Sequence, residues 1–391
     1  MASTQPRRKF RRRTKVLLSI GVVVVVLLGL VGAGALVVTA PRPDFPTADK
    51  PTRNSWYQAD LGTRAMSADG GDYRIYAKTG SSDNLVIFFG GGGVTWDGDS
   101  AANPITIGKY LFGGGLGDYF RTIPAYFPTT LQGFLEADNP KNPFNDWNIV
   151  VLPYSTGDFH TGNATKTLTA SDGTETVMHY NGRTNVSLAL DWIQKRMPQP
   201  TKLLVAGSSA GGFGSTFWLP EIAAAYPEST VYHFAEGDQL PSPTWPRVAE
   251  QLWNSQWQRD FGHEPGTNLY ETAVRSNRER LGDRVVFLDS NTVYDDTLLA
   301  FTGRVQDRAI TKEQWSTQTR ASMKRLSETV PDYYFYLTDY GLDEKTGLTP
   351  HTFVSQPNFF TATEDGMRFS TWLADAVIRD EPRSVGEKFL R

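Results

Sequence analysis

Residues 202–212 read KLLVAGSSAGG, from Lys202 to Gly212. Leu203 to Ala206 form a continuous apolar run with no polar alternation. A strand of that kind is buried on both faces, as in a parallel sheet. The run stops at glycine, and the small residues after it lead into a helical stretch to about Ala225. Gly207-Ser208-Ser209-Ala210-Gly211 matches G-x-S-x-G in the context the motif needs, strand then sharp turn then helix. Such a turn exposes the central serine at its apex, and the following helix points backbone N–H groups at it. Ser209 holds the central position; Ser208 competes but stands one place off. The N–H of Ala210 becomes one candidate oxyanion donor. A plain Gly-rich turn is the bland alternative.

Similar runs lie on either side. Asp83–Phe89 ends in LVIFF and meets Gly90–Gly93; Trp147–Leu152 (WNIVVL) meets the loop 153–163. Val231–Phe234, Arg284–Leu288 and Tyr333–Leu337 are further strand candidates. Val186, Leu190, Ile193 and Met197 recur near helical spacing, and Pro198 ends that helix. Strands alternating with helices predict an α/β fold, α/β-hydrolase-like, with a mainly parallel sheet flanked by helices. Ligands in such sheets bind beyond the carboxyl ends of the strands, where the loops after these runs converge. Residues 238–283 read as a helical insertion, with Trp253 and Trp257 four apart. They suit a lid or an ordinary pair of packing helices.

A serine hydroxyl needs a base, and histidine is the usual one. The chain has five histidines. The order nucleophile, acid, base in this fold leaves His233, His263 and His351. His233 sits inside a strand run and His263 in a Gly/Pro loop. His351 stands late in the chain, in a loop before the final helix, and is the best candidate. The acid follows RVVFL, where Asp289, Asp295 and Asp296 stand together; strand geometry does not choose among them. The second oxyanion donor is expected from the four glycines 90–93, whose amides can approach a substrate unhindered. No Lys-Ser/Thr and no G-x-G-x-x-G accompanies them, which argues against phosphate binding. With no H-E-x-x-H and no close His/Asp/Glu cluster, neither metal nor cofactor is implied.

The 391 residues carry a net charge of −3 and no cysteine. That excludes a disulfide scaffold, a thiol nucleophile and Cys-ligated metals, and it argues against a nucleic-acid binder. The charge is uneven: residues 1–15 hold seven cations and no acid. Residues 16–40, VLLSIGVVVVVLLGLVGAGALVVTA, carry no charge at all. About 20 apolar residues span a bilayer core, and flanking cations stay on the cytoplasmic side. The expected organisation is a basic cytoplasmic segment 1–15, a transmembrane signal-anchor 16–40, a Pro-rich linker 41–55 and a catalytic domain 56–391 outside the cytoplasm. Val38-Thr39-Ala40 also resembles a cleavage site, which would release a secreted protein. RRKF carries a faint twin-arginine likeness, and RRKFRRR also suits a nuclear-localisation signal. Gly29 and Ala33 are spaced for helix association in the membrane.

Taken together, FFGGGGVTW (88–96), PYSTGDFHTGN (153–163), GSSAGG (207–212), VYDDTLL (293–299) and PHT (350–352) resemble the pectinacetylesterase/Notum family of serine esterases. The resemblance covers roughly residues 80–380. It implies Ser209 as nucleophile, Asp295 as acid and His351 as base. It implies Gly92, Gly93 and Ala210 as the oxyanion hole. Asp158 and His160 then fall in a site-lining loop, structural or substrate-positioning. Three departures stand out. Ser155 and Thr95 occupy family cysteine positions, so loop rigidity must come from packing, and Leu299 replaces a frequent glutamine. The family includes enzymes acting on acetylated plant polysaccharide and on a lipidated signalling protein, so the substrate stays open: a small-molecule, carbohydrate or lipid ester.

The expected function is an extracytoplasmic serine esterase acting on carboxylic esters, O-acetyl esters above all. Its rivals are a lipase or polyester-type hydrolase with the same triad, and an inactive membrane-tethered carbohydrate- or lipid-binding protein.

Overall fold

A computed structural model of the chain describes residues 40–48, 50–106 and 117–391. The basic segment 1–15 and the apolar run 16–40, except Ala40, lie outside them. Among the described residues no helix is long and apolar enough to cross a membrane. The chain divides into two compact units, Met1–Arg42 with Ala125–Thr130, and Pro43–Pro124 with Leu131–Arg391. Within the first, the described residues include a 3₁₀ turn at Phe127–Thr130. In the same unit the Arg42 guanidinium donates to Pro128 O at 3.3 Å.

The second unit is built on eight strands: β1 (Tyr57–Asp60), β2 (Arg74–Lys78), β3 (Leu85–Phe89), β4 (Asn148–Leu152), β7 (Lys202–Ser208), β8 (Thr230–Glu236), β9 (Val285–Thr292) and β10 (Tyr333–Thr338), with β5 (Ala164–Thr169) and β6 (Glu175–Tyr180) forming a separate hairpin. The sheet order is β1-β2-β4-β3-β7-β8-β9-β10. Strands β4, β3, β7, β8, β9 and β10 run parallel, and β1 and β2 extend one edge antiparallel. All six parallel strands coincide with the apolar runs, as expected for strands covered on both faces. The antiparallel strands YQAD and RIYAK are polar or charged at intervals and carry no such signal.

The register of the parallel strands sets where their loops emerge. Leu152, Phe89 and Gly207 lie abreast, as do Gly207, Ala235 and Asp289. The residues just after them therefore leave the sheet along one rim.

The main helices are α1 (Gly182–Arg196), α2 (Ala210–Ala225), α3 (Leu269–Leu281), α4 (Asp296–Val305), α5 (Lys312–Thr329) and α6 (Phe369–Val377). Helix α2 is apolar on every side and almost wholly buried, as a central helix must be. Pro220 inside it removes the N–H that would bond Thr216 O. Asn277 of α3 supplies a donor instead, its Nδ2 reaching Thr216 O at 2.6 Å.

Residues 238–283 fold into short helical turns followed by α3. Trp245, Trp253 and Trp257 are completely buried there. Trp257 packs edge-on against Phe217 of α2, centroids 4.3 Å apart, and Phe159 contacts Trp245 and Trp253. We expect Trp257→Ala to lower the unfolding free energy by about 3–5 kcal/mol, read from urea denaturation of the full chain.

Candidate active site

The turn from β7 to α2 is tight enough to dictate its sequence. A methyl on Gly207 would collide with the carbonyl of Gly211, and one on Gly211 with the carbonyl of Phe89. Only glycine fits at either place. Between them Ser209 takes φ +56° and ψ −128°. A non-glycine residue held there costs on the order of 1–3 kcal/mol, which the surroundings must offset. Part of that support is the Ser209 N–H, which donates to Glu236 O at 2.6 Å. Ser209 is half-buried and Ser208 buried at the end of its strand, so Ser209 is the more accessible serine.

The glycine loop after β3 lies against this turn. A methyl on Gly91 would sit 2.6 Å from Ser208 O and 2.8 Å from Ser209 Cβ. Gly92 O accepts from Phe120 N–H at 2.9 Å, and Asp118 O accepts from Val94 N–H at 2.7 Å, which fixes the loop on its far side. The N–H groups of Gly91, Gly92 and Gly93 donate to no acceptor among the described residues.

His160 and Asp158 support that loop from behind. His160 Nε2 lies 3.0 Å from Gly90 O, and its ring is wedged against Phe89 and Tyr154. Burial lowers its pKa to about 4, so the ring is neutral and Nε2 carries the proton that Gly90 O accepts. Trp218 Nε1 donates to His160 O at 2.9 Å. Asp158 is fully buried and accepts from Thr156 Oγ1 at 2.6 Å, His160 N–H at 3.1 Å and Gly182 N–H at 2.9 Å. Burial raises its pKa to about 6 against these donors. At Thr95 and Ser155, the two positions where the resemblance leads one to expect cysteines, hydrogen bonds are found. Thr95 Oγ1 bonds Gly157 O and Tyr180 OH, at 3.0 and 3.1 Å, and Ser155 Oγ bonds Ser67 Oγ at 3.0 Å. The loop is thus held by buried polar contacts as well as by packing.

Beyond β9, Asp295 caps α4 with Oδ1 accepting from Leu298 N–H at 2.7 Å. Its Oδ2 lies 2.6 Å from His351 Nδ1. Chain segments 292–296 and 349–351 run side by side. Asp296 N–H donates to Thr349 O at 3.1 Å, Thr349 N–H to Tyr294 O at 3.0 Å, and Thr292 Oγ1 to Pro350 O at 2.9 Å. The other two carboxylates face elsewhere. Asp289 is buried against Asn291 and Tyr333, and Asp296 is exposed with Thr297 Oγ1 on its carboxylate.

Burial would lower the pKa of His351, but the charge and hydrogen bond of Asp295 outweigh it, helped by Glu236 and Asp296, and leave it above the ordinary histidine value. Burial raises Asp295 in turn, opposed by His351 and by the Leu298 N–H. His351 Nε2 is shielded from solvent and has no hydrogen-bond partner among the described residues. The structure therefore brings Asp295 and His351 into contact. Ser209 and His351 share no hydrogen bond; they meet the same segment from two sides. Gly237, at φ +65°, lies against the imidazole: a methyl there would sit 2.7 Å from Cε1.

The remaining histidines are engaged elsewhere. His233 Nε2 lies 3.2 Å from Ser215 Oγ and 3.1 Å from Thr216 Oγ1, and His263 bonds Glu264 O and packs on Trp257. The sequence pointed to neither Glu236 nor Gly91 nor Gly237. A Glu-Gly pair ending a strand belongs to no motif, and Gly91 stood unresolved inside the glycine cluster. Among the described residues no group of three or more His, Cys, Asp or Glu side chains could hold a metal.

Residues 60–237 match the family model described as pectinacetylesterase. No curated protein matches the chain. Among solved structures, the Wnt deacylase Notum from Drosophila is similar at a TM-score of 0.53 and 16% identity, over 84% of this chain and 95% of that one. That likeness speaks for the fold, and the resemblance read from the motifs is borne out. The family match supports a hydrolase acting on esters.

His160 has a depressed pKa, so its neutral form contributes stability that is present above about pH 6.5 and is lost as pH falls towards 4. His160→Gln keeps a donor for Gly90 O but removes this titration. Between pH 6.5 and 4 its unfolding free energy should fall less steeply than wild type, by up to about 1.4 kcal/mol per pH unit. Denaturant titrations at a series of pH values measure the difference.

Proposed function

We propose that this pectinacetylesterase-like chain hydrolyses carboxylic esters, O-acetyl esters in particular, through Ser209, His351 and Asp295. Ser209 Oγ attacks the ester carbonyl while His351 Nε2 takes its proton. The tetrahedral oxyanion is received by N–H groups of the glycine loop, Gly92 and Gly93, and by that of Ala210. Collapse expels the alcohol, which takes the proton back from His351 Nε2. Water then enters by the mirror-image steps and releases the acid. Asp295 fixes the tautomer with the proton on Nδ1 and stabilises the imidazolium as it forms.

The observation that carries this reading is the asymmetry of His351: one ring nitrogen held at 2.6 Å by a buried carboxylate, the other buried and, among the described residues, unpartnered. A buried imidazole nitrogen without a partner is costly unless a ligand or a reacting group completes it. Backbone donors left free beside the Ser209 turn are the complementary half, and preorganised donors of that kind supply much of the catalysis in acyl transfer.

We further propose that the catalytic unit works outside the cytoplasm, tethered by the apolar run 16–40 or released by cleavage after Ala40. The seven cations before that run support the orientation.

Ser209→Ala should lower the turnover of p-nitrophenyl acetate by at least about 10³-fold and abolish fluorophosphonate labelling. A labelled or fully active variant would refute the assignment. Asp295→Asn removes the charge that raises His351, so the acid limb of the kcat/KM profile should move to lower pH. The maximal rate should fall by about 10⁴.

A further inference from the structure

We propose that Glu236 is a positioning residue, a clamp that holds the loop of the base against the turn of the nucleophile. The proposal rests on the triad reading above and adds to it a residue that touches no substrate.

Glu236 ends β8 and is 1% exposed. Its main-chain oxygen accepts the Ser209 N–H at 2.6 Å. Its carboxylate faces the other way: Oε1 accepts from Phe353 N–H at 2.8 Å and Oε2 from Val354 N–H at 3.0 Å. Those two amides lie two and three residues after His351. One residue thus bonds the nucleophile turn with its backbone and the base loop with its side chain. Two parallel hydrogen bonds from consecutive amides to one carboxyl group fix direction as well as distance, and in the ionised form charge makes each of them stronger than a neutral bond. The next residue, Gly237, donates to Ser290 O at 3.0 Å and forms the surface on which the imidazole rests.

No cation pairs with Glu236 among the described residues; the titratable groups facing it are His351, Asp295 and Asp238. Burial raises its pKa to about 7 in spite of the two amides. A buried carboxyl kept at that cost, where an apolar side chain could pack, suits a group whose task is geometry. Its charge also adds to that of Asp295 in favouring the imidazolium.

The test uses the full chain and p-nitrophenyl acetate. Glu236→Gln keeps the shape but gives one amide oxygen for two donors, and sets its own NH₂ against the second. A misplacement of about 1 Å can cost on the order of 10²-fold in rate. We expect kcat to fall by about 10- to 100-fold with KM nearly unchanged, and the acid limb to move to lower pH. In a His351→Ala background the same substitution should have almost no further effect, because the clamp acts through that ring. Val354→Pro removes one of the two donors and leaves Glu236 intact. It should reproduce the loss of kcat, and it decides the matter if Glu236→Gln does not fold.

Wild-type kcat in either variant would overturn the proposal. So would an equal loss with and without His351, which would mark Glu236 as a general structural residue. A fully active Ser209→Ala would instead remove the triad reading itself, so the two failures are distinguishable.

Discussion

The end of β7 and the first turn of α2 are in such close contact that Gly207 and Gly211 admit no side chain, and the groups of the proposed triad are arranged around that contact. It forces Ser209 to positive φ and lifts it out of the strand line. It also draws Phe89, and the glycine loop behind it, against the same turn. The neighbouring strand completes the arrangement, since the Ser209 amide bonds Glu236 at the end of β8. Three adjacent parallel strands in one register therefore deliver a serine, a set of amides free among the described residues and the support for the proposed base.

Such a rim must be stiff, and the chain has no disulfide to stiffen it. Buried polar groups take that part. Asp158 gathers amides from 160 and 182, His160 anchors Gly90, and Glu236 anchors 353 and 354. Each lies in a setting that disfavours its charged form, and burial shifts all three pKa values accordingly. Buried groups of this kind stabilise only when every bond is made, which ties the loops to a single geometry.

The parallel strands were legible because burial on both faces requires apolar runs, as in LVIFF and NIVVL. The antiparallel strands β1 and β2 and the hairpin β5–β6 were not. ATKTLT and ETVMHY alternate between exposed and covered residues, a weaker signal than a continuous apolar run. Ser209 was legible from its motif and His351 by elimination. Asp295 could not be separated from Asp289 and Asp296 by strand geometry, since all three follow one run. What separates them is the pairing of 295 with 349, a contact across more than fifty residues. Glu236 was invisible for the same reason: its partners, Ser209, Phe353 and Val354, are distant in sequence and supply backbone atoms, which carry no residue signature.

The most direct measurement is a crystal structure of the protein after reaction with a fluorophosphonate. Phosphorus should be bonded to Oγ of Ser209, with a phosphoryl oxygen within hydrogen-bond distance of amides from the glycine loop and residue 210, and His351 Nε2 turned toward the adduct. An adduct on another side chain, or an imidazole whose Nε2 faces away with Asp295 still attached, would contradict the proposed triad.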